Sequence, residues 1–144
     1  YGYSYSAVAV PAADPIEHIN TVEDILSYRI GYAKNAFLCS FMKDKRLKLD
    51  LIASTNFNEQ NFKKLLAGRI DAVYTPDIPS LMVVIKKMNI KDKVKIIKLP
   101  GIPAKLHVVF SKTRQHLKKK YDKVFDKING RNVYTRILNS YLQP

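Results

Sequence analysis

The chain has 144 residues, of which 47% are hydrophobic and 26% are charged, a composition typical of one globular domain with a sizeable core. Lys and Arg outnumber Asp and Glu by 25 to 12, which gives a formal net charge of +13. This charge favours anionic partners, but it does not distinguish among nucleic acid, an anionic membrane surface and an acidic ligand. Most of the basic residues stand between apolar ones, which is typical of solvated helix faces.

The sequence argues against several kinds of protein and site. No apolar run approaches the roughly 20 residues of a membrane-spanning helix. The first 13 residues lack the basic-then-apolar order of a signal peptide, so an exported form is expected to be a mature or trimmed chain. The single cysteine, Cys39, excludes an internal disulfide and is predicted to be a buried small hydrophobe. The three histidines are widely separated, so neither a metal site nor a cofactor is predicted.

Strand and helix patterns alternate through the first half of the chain. Aromatic and β-branched runs bounded by turn residues indicate strands, and apolar residues recurring every three or four positions indicate helices. Thr21 with Asp24 resembles a capping box. The predicted elements are a strand at Tyr3–Val10, a short helix through Leu26, a strand at Arg29–Tyr32, a helix at Asn35–Arg46 and a strand at Leu49–Ala53.

The second half continues the alternation and ends in helices. Gly68 suits the left-handed residue that closes a helix, and Pro79 suits the first turn of one. The predicted elements are a helix carrying Phe62, Leu65 and Leu66, a strand at Ile70–Tyr74, a helix from Pro79 to Met88, strands at Val94–Leu99 and Leu106–Phe110, and two helices over Leu117–Ile128 and Val133–Tyr141. This order predicts an α/β fold with a mostly parallel sheet flanked by helices and with C-terminal helices.

Polar residues follow three of the predicted inner strands. In an open α/β sheet, ligands bind beyond the carboxyl ends of the strands, where loops and helix N-termini converge. Lys34 could bond an anion and Asp77 could oppose an ammonium, while Tyr5 could stack on a ligand. The predicted ligand-binding residues are Tyr5, Lys34, Asn35, Thr55, Asn56, Thr75 and Asp77. Taken singly, Thr55, Asn56 and Asp77 are equally typical of helix caps.

Asp71 has a structural interpretation. It follows Gly68 and Arg69 in a tight turn, where an acid accepts backbone amides or pairs with Arg69. The sequence also contains no paired carboxylates at convincing loop positions and no activated nucleophile, so it predicts no enzyme.

The segment Leu65–Val73, with its A-G-R-I-D-A turn between a helix and a strand, resembles the family 3 extracellular solute-binding proteins. The ordered landmarks Tyr5–Val10, Val22–Leu26, Arg29–Tyr32 and Val108–Lys112 resemble the same family. The resemblance implies a non-catalytic protein of the type 2 periplasmic-binding fold. Such a protein closes two lobes over a small polar ligand, often an amino acid, and delivers it to an ABC-importer permease or a sensor domain. It also implies a periplasmic, or extracellular and membrane-associated, location.

Three regions follow from this resemblance. Residues 1–12 correspond to a hinge strand, residues 13–104 to the ligand-binding second lobe, and residues 105–144 to a return hinge strand and the C-terminal helices of an incomplete first lobe. The opening half of the family's first lobe has no counterpart, so the chain is expected to be a fragment or a stripped variant, or to be completed by a second copy as a homodimer. The family's ligand-binding acid falls here near Thr75–Asp77, and Lys34–Ala36 replaces the family's anion loop.

Two other classes of function remain open. The net charge and nine tyrosines would suit a nucleic-acid or polyanion-binding domain. That class needs basic and aromatic residues interleaved on one surface, whereas these aromatics recur on apolar stripes, so no nucleic acid is expected as a partner. An enzyme on the same scaffold is the other alternative, because relatives of the family include enzymes.

Overall fold

The computed structural model describes residues 2–142, which divide into two compact units. The larger unit, residues 4–103, contains most of the regular structure, and the smaller unit comprises residues 2–3 and 104–142. The strands are β1 (Gly2–Ser4), β2 (Ala7–Pro11), β3 (Arg29–Ala33), β4 (Lys48–Ile52), β5 (Ala72–Thr75), β6 (Val94–Lys98) and β7 (Ala104–Leu106). The α-helices are α1 (Phe57–Leu66), α2 (Ile78–Lys87), α3 (His116–Lys127) and α4 (Gly130–Leu142).

Five strands form the sheet of the larger unit, in the order β4-β3-β5-β2-β6. Strand β3 is parallel to β4 and β5, whereas β2 is antiparallel to both of its neighbours, β5 and β6. Four of the five strands therefore run in one direction, and β2 alone is reversed. The predicted α/β fold with a mostly parallel sheet is confirmed.

Apolar side chains pack on both faces of this sheet. On one face, Phe62 and Leu65 of α1 and Leu81 and Ile85 of α2 are buried against Val73. On the other face, strand residues are covered by irregular chain and short 3-10 helices that contribute Ile19, Ile25, Met42 and Leu47. Burial on both faces explains why the inner strands are continuous apolar runs in the sequence.

The helix predicted at Asn35–Arg46 is wrong. Only a 3-10 helix, Phe41–Lys43, forms there, and Asn35 has a left-handed backbone (φ 65°) that turns the chain away from a helical path. Met42 is buried and Leu38 and Phe41 are partly buried, but Phe37 remains 61% exposed. The apolar spacing therefore reflects packing of an irregular segment on the sheet.

Two predicted strands also differ from the observed ones: Tyr3–Val10 is divided, and Leu106–Phe110 overlaps β7 only at Leu106. The chain leaves regular structure at Tyr5 and Ser6, so the predicted strand Tyr3–Val10 is divided between β1 and β2. Residues 107–110 are not strand, and Val109 is 87% exposed. Without a partner strand or a packed face, this β-branched run does not extend β7.

The opposite end of the sheet is fixed by Arg29 and Asp71. Arg29 Nε lies 3.0 Å and Nη2 3.1 Å from the two oxygens of Asp71, and the Asp71 carboxylate also accepts the Arg29 backbone N–H at 2.8 Å. These bonds lower the pKa of Asp71, with the Arg29 side chain as the main cause. Asp71 is therefore structural, as predicted, although its partner is Arg29 rather than Arg69.

The helix end predicted at Gly68 is confirmed. Gly68 has φ 67°, its N–H donates to Leu65 O at 3.0 Å, and the Arg69 N–H donates to Lys64 O at 2.9 Å. These bonds satisfy carbonyls that the end of α1 would otherwise leave unpaired. The capping box at Thr21 and Asp24 is confirmed as well.

Candidate functional site

The direction of the strands defines one edge of the sheet, which we call the carboxyl edge. The carboxyl ends of β3, β4, β5 and β6 meet there with the amino end of the reversed strand β2. Ala33 pairs with Ile52 at this edge, and Ala7 pairs with both Thr75 and Lys98. The loops at the carboxyl edge are residues 5–6, 34–40, 53–56, 76–77 and 99–103.

All the residues predicted to bind a ligand lie at this edge. Lys34 and Asn35 follow β3, Thr55 and Asn56 follow β4, Thr75 ends β5 and Asp77 follows it, and Tyr5 precedes β2. The three loops expected to converge from the sequence do converge. The surroundings of the individual side chains differ, however, and they decide what each residue can do.

The loop after β3 is a tight turn rather than a helix start. The Lys34 N–H donates to Ile52 O at 2.8 Å, and the Ala36 N–H donates to Ala33 O at 3.1 Å. Asn35 occupies the left-handed position that Asn tolerates better than most residues. The side chains of Lys34 and Asn35 are exposed, so they remain accessible to a ligand.

Two tyrosines hold the rest of this loop. The Tyr74 hydroxyl donates to Phe37 O at 3.1 Å and accepts the Cys39 N–H at 3.1 Å, and the Tyr32 hydroxyl donates to Ala36 O. Their ring centroids are 5.8 Å apart. Burial is the main cause that raises the pKa of Tyr74, to about 12, and burial also raises the pKa of Tyr32. Both hydroxyls therefore stay protonated and can donate at neutral pH.

The loop after β4 leads into α1 through a small polar network. Gln60 Nε2 donates to Ser54 Oγ and to Asn56 Oδ1, each at 2.9 Å, and Ser54 Oγ donates to Asn56 Oδ1 at 2.6 Å. Asn56 precedes the helix, but its side chain makes no capping bond to the α1 backbone. Thr55 is exposed at the tip. This loop therefore exposes the Thr55 hydroxyl close to the amino end of α1.

The loop after β5 is satisfied by its own bonds. Thr75 Oγ1 donates to Asp77 O at 2.8 Å and accepts the Asp77 N–H at 3.1 Å, and the Thr75 side chain is buried. Asp77 caps α2, because its Oδ2 accepts the Ser80 N–H at 3.1 Å and the Ser80 hydroxyl. Ser4 Oγ donates to Pro76 O at 3.0 Å. For Thr75 and Asp77, the structure favours the cap interpretation.

Four residues at this edge were not predicted from the sequence: Ser4, Tyr32, Tyr74 and Lys98. Lys98 ends β6, and its Nζ lies 4.7 Å from the centroid of the Tyr5 ring. For Tyr32 and Tyr74 the sequence did contain a local signal: each lies near the end of a buried strand, and a buried tyrosine hydroxyl needs a hydrogen-bond partner. The position of Lys98 depends on the reversed strand β2, which no local pattern indicates.

Solved structures share this architecture. An ancestral cationic amino acid solute-binding protein superposes with a TM-score of 0.72 at 15% identity, covering 99% of this chain and 59% of its own. A cysteine-binding protein from Campylobacter jejuni gives 0.68 at 20% identity, covering 98% and 54%. Substrate-binding domain 2 of GlnP from Lactococcus lactis gives 0.60 at 19% identity, covering 99% and 62%.

The fold is that of the type 2 solute-binding proteins. The resemblance seen in the sequence is thus confirmed for the fold, and the chain spans less than two thirds of the length of these structures. No protein-family model matches the sequence, and the search of curated proteins gave no match. Within residues 2–142, no helix has the length and apolar character needed to cross a membrane.

We expect Tyr74→Phe to loosen the loop after β3. The substitution removes the bond to Phe37 O and leaves the Cys39 N–H without its partner, at a cost of about 1–2 kcal/mol in the free energy of unfolding. Amide hydrogen exchange should accelerate at residues 36–40 more than in α1. Tyr134→Phe, at a ring that is 40% exposed in α4, is the control and should change neither quantity. Equal effects of the two substitutions would contradict the assigned role of Tyr74.

Proposed function

We propose that the larger unit binds a small polar solute at its carboxyl edge and does not act on it chemically. The observation that carries this proposal is the meeting of four strand ends and the start of β2 at a single edge, with exposed Lys34, Asn35, Thr55 and Asn56 around it. Proteins of the same fold are described as binding cationic amino acids, cysteine and arginine. The ligands named for these proteins are small polar solutes, which supports solute binding as the general function of this chain.

The polar groups at this edge support binding rather than catalysis. The hydroxyls of Ser4 and Thr75 donate to backbone carbonyls, and the carboxylate of Asp77 caps α2. A nucleophile needs a base that takes its proton, and a general acid or base needs free access to the substrate. These groups instead hold the loops in place, which is the preorganisation that a binding site requires.

We further propose that residues 104–142 belong to an incomplete first lobe, as the resemblance in the sequence implied. Among the described side chains of this segment, no hydrophobic one is buried, and Val109, Val124, Ile128 and Ile137 are each more than half exposed. The strands β1 and β7 form a two-stranded ribbon with three residues in each. Such a ribbon and two amphipathic helices need more apolar surface to make a core. Structures of this fold are longer than this chain and contain further polypeptide.

We also propose a location and partners for this protein. A solute-binding lobe of this fold would work outside the cytoplasmic membrane, in the periplasm or at the cell surface, and would pass its ligand to an ABC-importer permease or a sensor domain. The missing part of the first lobe would come from further polypeptide or from a second copy of the chain. The support is the fold shared with substrate-binding domains of transporters.

Amide hydrogen exchange of the isolated chain tests the incomplete lobe. We expect slow exchange in β2, β3 and β5, whose residues are largely buried, and exchange at least about a hundredfold faster in α3 and α4, which lack a core. Both regions are read in one sample, so each is the control for the other. Protection of α3 and α4 equal to that of β5 would show that the smaller unit is complete as it stands.

The binding function is tested by titrating the ¹⁵N-labelled chain with amino acids and small organic acids while amide chemical shifts are recorded. A ligand should shift the amide signals of residues 34–36 and 54–58, and those of Thr75, Asp77, Ile78 and Ser80. Lys34→Gln should weaken its binding about three- to tenfold, because one charge-assisted bond is lost at an exposed position.

Lys48→Gln is the matched control, since Lys48 is equally exposed at the start of β4, on the opposite edge of the sheet. It should leave the affinity unchanged. The proposal fails if no compound shifts these amides, or if both substitutions weaken binding to the same extent.

A further inference from the structure

The carboxylate of Asp77 is committed to the protein itself. Asp77 is the one acidic residue in the five loops of the carboxyl edge. Its Oδ2 accepts the Ser80 N–H at 3.1 Å and the Ser80 hydroxyl, and its Oδ1 lies 3.5 Å from Ser4 Oγ. A ligand ammonium that approached this carboxylate would compete with the bonds that cap and stabilise α2.

The residues beside Asp77 do not provide another oxygen that is free to accept hydrogen bonds from a ligand ammonium group. Thr75 Oγ1 is buried and bonds Asp77 at both its donor and acceptor positions, and Pro76 O already accepts Ser4 Oγ. The acid that follows the loop after β3 is Asp44, which pairs with Arg46, and the acid that follows the loop after β4 is Glu59, which pairs with Lys87. The negative charges at and near this edge are therefore already engaged.

The positive charges at the edge are not neutralised in the same way. Lys34 and Lys98 are both exposed, and within residues 2–142 neither forms an ion pair. Lys98 instead lies over the Tyr5 ring, at 4.7 Å. Exposed cations without acidic partners produce a positive local potential, which attracts anions and repels cations.

We propose that this edge takes a small organic carboxylate that has no ammonium group, with Lys34 and Lys98 as the residues that select for negative charge. This inference rests on the proposed binding function and specifies its ligand class. The two lysines and the polar loops bind the carboxylate of the ligand. The protein offers no side-chain carboxylate at this edge that is free to bind an α-ammonium group.

Pairs of ligands that differ by one ammonium group test the inference. Succinate against L-aspartate and glutarate against L-glutamate are titrated into the ¹⁵N-labelled chain, and dissociation constants are taken from the amide shifts at the carboxyl edge. We expect the ammonium-free member of each pair to bind about tenfold more tightly, as expected for one uncompensated like-charge contact near a protein surface. Lys98→Gln should reduce this preference, whereas Lys48→Gln, on the opposite edge, should not.

Asp77→Asn separates the two roles of Asp77, because Asn is an equally good helix cap but has no charge. The ratio of the two affinities should stay the same in this variant. Tighter binding of the amino acids, lost selectively in Asp77→Asn, would overturn the inference while leaving the proposed binding function intact. If no member of either pair and no other compound shifts the edge amides, the proposed function itself fails.

Discussion

Strand β2, the fourth of the five strands in the sheet, runs against both of its neighbours, and the positions of Tyr5 and Lys98 at the carboxyl edge depend on this reversal. The backbone of β2 bonds β5 on one side and β6 on the other, and Val8, Ala9 and Val10 are fully buried between the two faces of the sheet. A shift of one residue would move Val8 and Val10 into the core on the α1 and α2 face and Ala9 into the opposite core, where side chains of different volume would no longer fit. The register is therefore fixed by burial, and the register places Tyr5 beside the ends of β5 and β6.

The carboxyl edge combines preorganised loops with exposed cations. Buried tyrosine hydroxyls hold the loop after β3, and Thr75 and Asp77 hold the loop after β5 by bonds that leave little for a ligand. Lys34 and Lys98 remain exposed at the same edge. The seven residues that the sequence predicted to bind a ligand therefore have different surroundings. Thr75 and Asp77 make bonds that shape their own loop, whereas others, such as Lys34 and Thr55, face the solvent.

Much of the fold follows from local patterns. The inner strands β3 and β5 are short and largely buried, and the edge strands β4 and β6 carry lysines among their apolar residues. Helices α1 and α2 have clear boundaries at Gly68 and Pro79, so each of these elements was predicted to within a few residues. The helix expected at Asn35–Arg46 failed because its apolar residues pack against the sheet from an irregular segment. That segment is held by Tyr74, more than thirty residues further along the chain. Strand direction, and with it the place of Lys98, depends on non-local pairing that periodicity does not encode.

Cross-strand nuclear Overhauser effects at Val8 test the central claim most directly, because antiparallel strands bring opposite residues within a few ångströms. We expect backbone contacts from Val8 to Tyr74 on one side and to Ile97 on the other. Contacts displaced by one residue, or contacts to only one of these strands, would contradict the reversed strand β2 and the positions of Tyr5 and Lys98 that follow from it.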